Sequence, residues 1–488
     1  MTDVDERAIV RVTTATRLAA RPSRELIMPL TNGEPGTSEP DDETLAAEAM
    51  NSWLEAENSA RALRDPMALR VNPRMRVAKY AAVAYVAALP LLRPSGPANT
   101  SPVDLAGLVL IVAVGLAWLS GRVAWRLPFA VPMSIFALGG ALGALAGPAP
   151  GLGLTAVVQD VVLLVVCGGI VSTARTAGVQ RLLLRTWAVT SVGWAGLLIV
   201  GVVAHVGVLS GDQTRFGVRA SLTTGDPNLT ANYLVASLFV IHAARVPVRP
   251  SRRVVATIVV AIAMLLTGSN GATVSVLAGT FAAAVAAICM KKGWRIGVGL
   301  VALAAGVTLF LGVAPVSHWQ AQLVTSTRNS SVQIVRDSVG RQDQSSSTRH
   351  TLLDESLELF RTDGPLGTGP GSTKLLLETR EYPYQKEAHD DYLAALTERG
   401  ALGVFGLGLL IGATAIRLSR LSRLHHGVGI QQVVRPAPMI GCALALATSG
   451  MFYEVLHFRQ VWVYLALLAA MSLPSGGGRW ATRSRGRP

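Results

Sequence analysis

Ala388-His389-Asp390-Asp391-Tyr392-Leu393, followed by Glu398-Arg399-Gly400, closes a long polar stretch that begins near Ser317. The runs on either side, 296–316 and 396–416, are apolar enough to cross a bilayer, so the stretch reads as one large aqueous loop between two late membrane spans. Arg328, Arg336 and Arg341 come first in it, and then Ser345-Ser346-Ser347-Thr348, whose hydroxyls suit the start of a helix. From Arg349 to Phe360 the residues Leu352, Leu353, Leu357, Leu359 and Phe360 gather mostly on one helical face, with Arg349, Asp354, Glu355 and Glu358 elsewhere. That pattern predicts an amphipathic helix lying on the membrane surface. Asp363-Gly364-Pro365-Leu366-Gly367-Thr368-Gly369-Pro370-Gly371 is predicted to be irregular, because its glycines and prolines sustain neither a helix nor a strand interior.

Working outward from the loop, a transmembrane helix needs roughly 20 mostly apolar residues. Twelve runs meet that need: 77–92, 104–119, 127–146, 153–171, 186–209, 229–244, 253–268, 271–290, 296–316, 396–416, 436–454 and 459–474. The expected fold class is therefore all-α, a polytopic membrane protein of about 12 transmembrane helices with a large extracytoplasmic loop containing amphipathic helices. Basic residues test the count. With both termini in the cytoplasm, the inner connections hold sixteen lysines and arginines, such as Arg245, Arg249, Arg252 and Arg253 or Lys291, Lys292 and Arg295. The short outer connections hold four, namely Arg93, Arg215, Arg219 and Arg459. Positive charge favours the cytoplasmic side, so 317–395 is expected outside, and arginines in it have no topological task.

Composition agrees with a bilayer protein. Half of the 488 residues are hydrophobic and 15% are charged, against about a quarter in soluble domains. The net charge of +14 sits in short clusters between apolar runs, a distribution that fits membrane orientation rather than nucleic-acid binding. Cys167, Cys289 and Cys442 each fall within an apolar run, with no disulfide framework or zinc spacing. Residues 1–75 read as a mostly disordered cytoplasmic tail, in which Thr44 to Leu63 has near-helical apolar spacing. The domain that follows is 76–474, and 475–488 is a basic cytoplasmic tail. No signal peptide is expected, since the first apolar run starts near Val77.

Ionisable residues on the outer side or at membrane depth are the candidates for chemistry. Arg215 and Arg219 lie between the fifth and sixth spans, where a lone arginine more often contacts lipid headgroups than a substrate. Asp226-Pro227-Asn228 is a helix-start signal, with Asn228 as the expected cap of the sixth span. His389 fits either a helix cap or a proton acceptor, and Asp390 and Asp391 fit either a helix start or a support for the imidazole. Asp160, His205, Glu454, His457 and Arg459 lie within or beside spans, where charge is costly and often functional. Glu454 and Arg459 are close enough in sequence to pair across their turn, and Glu398 suits a structural pairing with an arginine of the loop.

Four segments in order resemble the O-antigen ligase and O-antigen polymerase superfamily of bacterial membrane proteins, over about 200–475. They are Gly225-Asp226-Pro227-Asn228; Leu266-Thr267-Gly268-Ser269-Asn270-Gly271-Ala272; Pro365-Leu366-Gly367-Thr368-Gly369-Pro370-Gly371; and Ala388-His389-Asp390-Asp391-Tyr392-Leu393 with Glu398, Gly400 and Gly403. One departure matters: members of that family usually show Ser-Arg-Gly where this chain has Ser269-Asn270-Gly271. Asn270 donates hydrogen bonds but carries no charge, so Arg215, Arg219 or Arg349 must supply more of any phosphate contact.

The resemblance implies a glycosyltransferase in the cytoplasmic membrane that needs no cofactor or metal. It would move a glycan from a polyprenyl diphosphate carrier to a lipid, protein or polysaccharide acceptor hydroxyl at the outer face. His389 would be the base and Arg215, Arg219, Arg341 and Arg349 would hold the diphosphate, with Asp390, Asp391, Glu398 and Asn270 in support. A polysaccharide polymerase differs only in its acceptor, and a slight likeness at Pro365–Gly371 and His389 favours the ligase. A multi-pass transporter and a non-enzymatic partner in envelope assembly are the readings from other classes. The late position of the long loop and the lack of a two-half repeat count against the transporter.

Overall fold

A computed structural model describes residues 73–92, 101–121, 123–210, 213–214, 217–311, 326, 344–382, 390–424 and 433–473. All belong to one compact unit, 71–488, which is separate from 1–70. The described chain is helical apart from one two-residue antiparallel pair, Gln213–Thr214 with Gly217–Val218. The long tail expected at 1–75 lies almost wholly outside the described residues, as does 475–488.

Every expected span overlies a helix. We number these α1 (Pro73–Ala87), α2 (Pro102–Leu119), α3 (Ala130–Ala146), α4 (Pro150–Thr173), α5 (Ala177–Val203), α6 (Pro227–Ala244), α7 (Pro250–Leu266), α8 (Asn270–Lys292) and α9 (Trp294–Leu311). The loop contributes α10 (Gln344–Asp363), α11 (Thr373–Thr379) and α12 (Asp391–Thr397), and then come α13 (Gly400–Leu424), α14 (Pro436–Ser449) and α15 (Arg459–Ser472). Among the described residues, α2, α4, α5, α8 and α13 are long and apolar enough to cross a membrane. The other helices that overlie expected spans, α1, α3, α6, α7, α9, α14 and α15, are 14–18 residues long. A membrane protein follows from these apolar helices, many of which turn leucines and valines outward: Leu105, Leu108, Val109, Val112 and Leu116 of α2 are all exposed.

The buried centre is made by α6 and α15, whose residues are covered almost all round. Two polar pairs lie inside: Gln460 donates to Asn232 at 3.1 Å, and Trp187 of α5 donates to Ser237 at 2.9 Å. The start of α6 differs from expectation. Asp226 is the cap, accepting from the Asn228 amide at 2.7 Å, because Pro227 occupies the first helical position and leaves the residue before it free to fold back. The Asn228 side chain is thereby left for another partner.

The stretch expected as an aqueous loop also differs from its reading. Ser345–Thr348 lie inside α10 rather than ahead of it. Part of the apolar side of α10 is covered by protein, since Leu359 buries with Leu376 and Leu377 of α11 and Leu357 packs on Leu393 and Ala394 of α12, whereas Leu353 is exposed. Residues 364–372 are irregular, as the glycines require. Gly367 and Gly400 both have positive φ, and a Cβ on Gly367 would stand 2.6 Å from the Gly400 nitrogen. The two backbones thus touch, pressing the glycine-rich loop against the junction of α12 and α13.

Candidate functional site

The site is built on the turn 450–457, between α14 and α15. Asp390 caps α12, accepting from the amides of Tyr392 and Leu393 at 2.8 and 3.0 Å. Asp391 is buried, and its carboxylate accepts from the amides of Val455 at 3.0 Å and Leu456 at 3.3 Å. Its own amide donates to the Gly450 carbonyl at 2.8 Å. Burial raises the Asp391 carboxyl well above the ordinary range, opposed by the charge of His457 and by the two amides.

The same turn holds the segment between α7 and α8. Tyr453 and Ser269 share a hydrogen bond of 2.8 Å, and the Gly271 position has room for no side chain against Tyr453. Ser269 caps α8, and Asn270 is exposed in the first turn. Arg219 reaches this segment from the connection between α5 and α6: its Nε donates to the Thr267 carbonyl and its Nη2 to the Asn228 side chain, each at 2.8 Å. Its guanidinium therefore lies beside the turn where Asn270 has no charge.

Glu398 anchors the glycine-rich loop. Its carboxylate accepts from the Gly371 amide at 2.9 Å and the Thr373 hydroxyl at 2.7 Å. Its partners among the described residues are thus a backbone amide and a hydroxyl. Because α13 begins at Gly400, Glu398 lies outside that helix, and burial, with Glu454 nearby, pushes its carboxyl up to about 7.

A set of charges, buried at Asp160 and Arg399 and partly exposed at His457 and Glu454, adjoins the turn. Asp160 Oδ2 of α4 is 2.7 Å from Arg399 Nη2, with both side chains almost fully covered. Asp160 Oδ1 is 3.8 Å from His457 Nδ1, and His457 Nε2 is 3.6 Å from Glu454. Burial pulls the His457 ring down, but the Glu454 hydrogen bond and the Asp160 charge outweigh it, and the ring ends at about 9. Arg459 does not pair with Glu454. It grips Asp104 at the start of α2 with two bonds, Nε to Oδ1 at 3.0 Å and Nη2 to Oδ2 at 2.9 Å.

Residues 255–408 match the O-antigen ligase family model. This supports the O-antigen ligase superfamily to which the sequence motifs point. No curated protein matches the chain. The O-antigen ligase match takes in the 266–271 turn, the glycine-rich loop, Asp390, Asp391 and Glu398, whereas Asp160, Arg219, Glu454 and His457 lie outside it.

Of the expected site residues, Asp391 is bonded to the turn 450–457 and Asp390 precedes it, Glu398 feels the charge of Glu454 in that turn, and Arg219 meets the 267–271 segment that carries Asn270 and that Tyr453 touches through Ser269. His389, Arg215 and Arg341 lie outside the described residues, and Arg349 lies in α10 with its side chain outside them. Position 389 is nevertheless next to Asp390, whose neighbour is tied to the turn. Among the described residues no group of histidine, cysteine and carboxylate side chains is arranged to hold a metal ion. Sequence reasoning missed Arg399. The signal was there: an arginine immediately before an apolar run needs a partner, and Asp160 was an acid in an apolar run without one.

A cavity of about 370 Å³ opens between α13, α14 and α15, lined by apolar residues such as Leu407, Leu410, Ile411, Ala443 and Leu465. Asp391 and Tyr392 also line it.

Proposed function

We propose that the protein transfers a glycan from a polyprenyl diphosphate carrier to an acceptor hydroxyl at the outer face of the cytoplasmic membrane, as an O-antigen ligase-type enzyme. The observation that carries this reading is that two segments resembling the family meet at the turn 450–457, through Asp391 and through the Ser269–Tyr453 bond, while Arg219 links the second of them, at Thr267, to Asn228 of a third. The apolar cavity that Asp391 helps to line offers the isoprenoid chain a place beside the polar groups.

In the reaction the acceptor oxygen bonds to the anomeric carbon while the bond from that carbon to phosphate breaks, and its electron pair leaves on the diphosphate. Arg219 with Arg215, Arg341 and Arg349 holds the growing negative charge, which a guanidinium pairs with in a fixed planar geometry. His389 takes the proton of the acceptor hydroxyl.

Purified protein given a polyprenyl diphosphate glycan and an acceptor should release polyprenyl diphosphate in step with glycan transfer. Saturable solute uptake without that release would favour the transporter. Discrete single additions to a non-glycan acceptor mark the ligase, and a ladder of lengthened glycan marks the polymerase.

The orientation we propose has twelve spans, both termini in the cytoplasm and 317–395 outside. Cysteines at Ser346 and Thr2 should then label oppositely with an impermeant thiol reagent in intact cells. Labelling at Thr2, alone or together with Ser346, refutes the orientation.

A further inference from the structure

We propose that Asp160 is a positioning residue of the transfer site, holding from the middle of α4 the two segments on which the chemistry depends. Its two oxygens point to different elements. Oδ2 meets Arg399 Nη2 at 2.7 Å, and Oδ1 faces His457 Nδ1 at 3.8 Å. Arg399 directly follows Glu398, which grips the glycine-rich loop through Gly371 and Thr373. His457 directly follows Val455 and Leu456, whose amides grip Asp391, and two residues before Asp391 is position 389. One buried carboxylate thus ties the loop and the base-bearing segment to a single point on α4.

The cost of this arrangement argues for a use. A buried carboxylate and guanidinium are both stripped of water, and such pairs are often no more stable than apolar residues of the same size. The contact is not an aligned hydrogen bond, since neither Asp160 Oδ2 nor Arg399 Nη1 makes one among the described residues. Arg399 instead lies over the Phe136 ring at 4.0 Å, and a Cβ on Gly140 would meet its Nη1 at 2.6 Å, so α3 fixes the guanidinium from the other side. What the pair adds is direction: the apolar residues Val455 and Leu456 anchor the turn, and the buried charge gives the imidazole ring beside them a fixed point to face.

The groups facing His457 are Asp160 from α4, Glu454 from its own turn, Asp391 from α12 and Arg399 from the α12–α13 junction. The two acids nearest the ring keep it charged at neutral pH. Loss of the Asp160 charge should therefore let the ring give up its proton at lower pH than about 9. A role confined to filling space would leave that titration where it is.

The inference rests on the glycosyl-transfer reading for its effect on turnover, and on the structure alone for its effect on the turn. The test uses the full chain in lipid nanodiscs, as Asp160→Asn and as Asp160→Val with Arg399→Met. The double variant removes both buried charges, so it keeps its fold even if the single one does not. In both, hydrogen exchange at the Val455 and Leu456 amides should quicken. Transfer at saturating donor should fall about 100-fold with the donor KM unchanged, the mark of misplacement rather than lost binding. Unchanged exchange in the double variant overturns the proposal, and so does wild-type turnover. Failure of the wild-type protein to transfer glycan would sink the proposed reaction, while the exchange at Val455 and Leu456 would still decide whether Asp160 holds the turn.

Discussion

Replacement of His389 with alanine is expected to lower glycan transfer by about 10²–10⁴-fold, the usual contribution of a positioned proton acceptor, while donor binding stays intact. An alcohol attacking an anomeric carbon must lose its proton as the new bond forms. An imidazole with an unperturbed pKa of about 6.5 can take it near neutral pH. Glutamine should not rescue the loss, since an amide hydrogen-bonds but does not accept the proton. Wild-type turnover should fall on the acid side between roughly pH 5 and 7 as the ring becomes charged, and neither variant should keep that limb. The measurement is transfer by purified wild-type, His389→Ala and His389→Gln proteins from about pH 5 to 9, with donor binding followed separately.

Near-normal turnover in His389→Ala would leave that residue the role of a surface histidine, and the structure ranks what would replace it. Asp390 is occupied as the cap of α12. Asp391 is buried, and its oxygens already accept from two amides. Glu454 is partly exposed and stands next to the His457 ring, so it would be the first alternative.

The helices of this protein were legible because they are long apolar runs between clusters of arginine, and that pattern depends on local composition alone. The irregular stretch at 364–372 was legible for a similar reason, since glycine and proline act on their own backbone. What failed were predictions about partners. Asn228 was read as a helix cap, yet Asp226 caps and Asn228 serves Arg219, because proline at the first helical position shifts the register of the start. Arg459 was read against Glu454 in its own turn, yet it grips Asp104, which is remote in sequence. The apolar face of α10 is a mixed case, with Leu357 and Leu359 covered by α12 and α11 and Leu353 exposed, because a hydrophobic stripe does not say whether lipid or protein covers it. The turn 450–457 carried no motif, only Glu454 and His457 as ionisable residues beside a span. The amides of Val455 and Leu456 and the Tyr453 hydroxyl, which bind the neighbouring segments, are groups that sequence patterns do not mark.

Arg219→Ala is expected to weaken transfer by roughly 10- to 150-fold, the equivalent of the 1.5–3 kcal/mol typical of a hydrogen bond to a charged group. The loss has two possible sources, because Arg219 also ties Thr267 to Asn228 and an alanine would cut those bonds as well. Lysine separates them only in part: it keeps the charge but presents one ammonium where the fork of the guanidinium makes two contacts. Asn270 gives the cleaner separation. It is exposed in the first turn of α8, three residues beyond Thr267, and arginine there would bring a cation to the same turn without restoring either bond of Arg219. Anions also favour this end of a helix, where the backbone amides are free. If Arg219 acts through its charge on the diphosphate, Asn270→Arg should recover much of the transfer lost in Arg219→Ala, chiefly through the donor KM. The comparison is steady-state transfer against donor concentration for the wild-type protein, both single variants and the double variant. A double variant as slow as Arg219→Ala, with the fold intact by thermal melting, would assign Arg219 to holding the 267–271 turn and move the diphosphate contact to Arg215, Arg341 and Arg349.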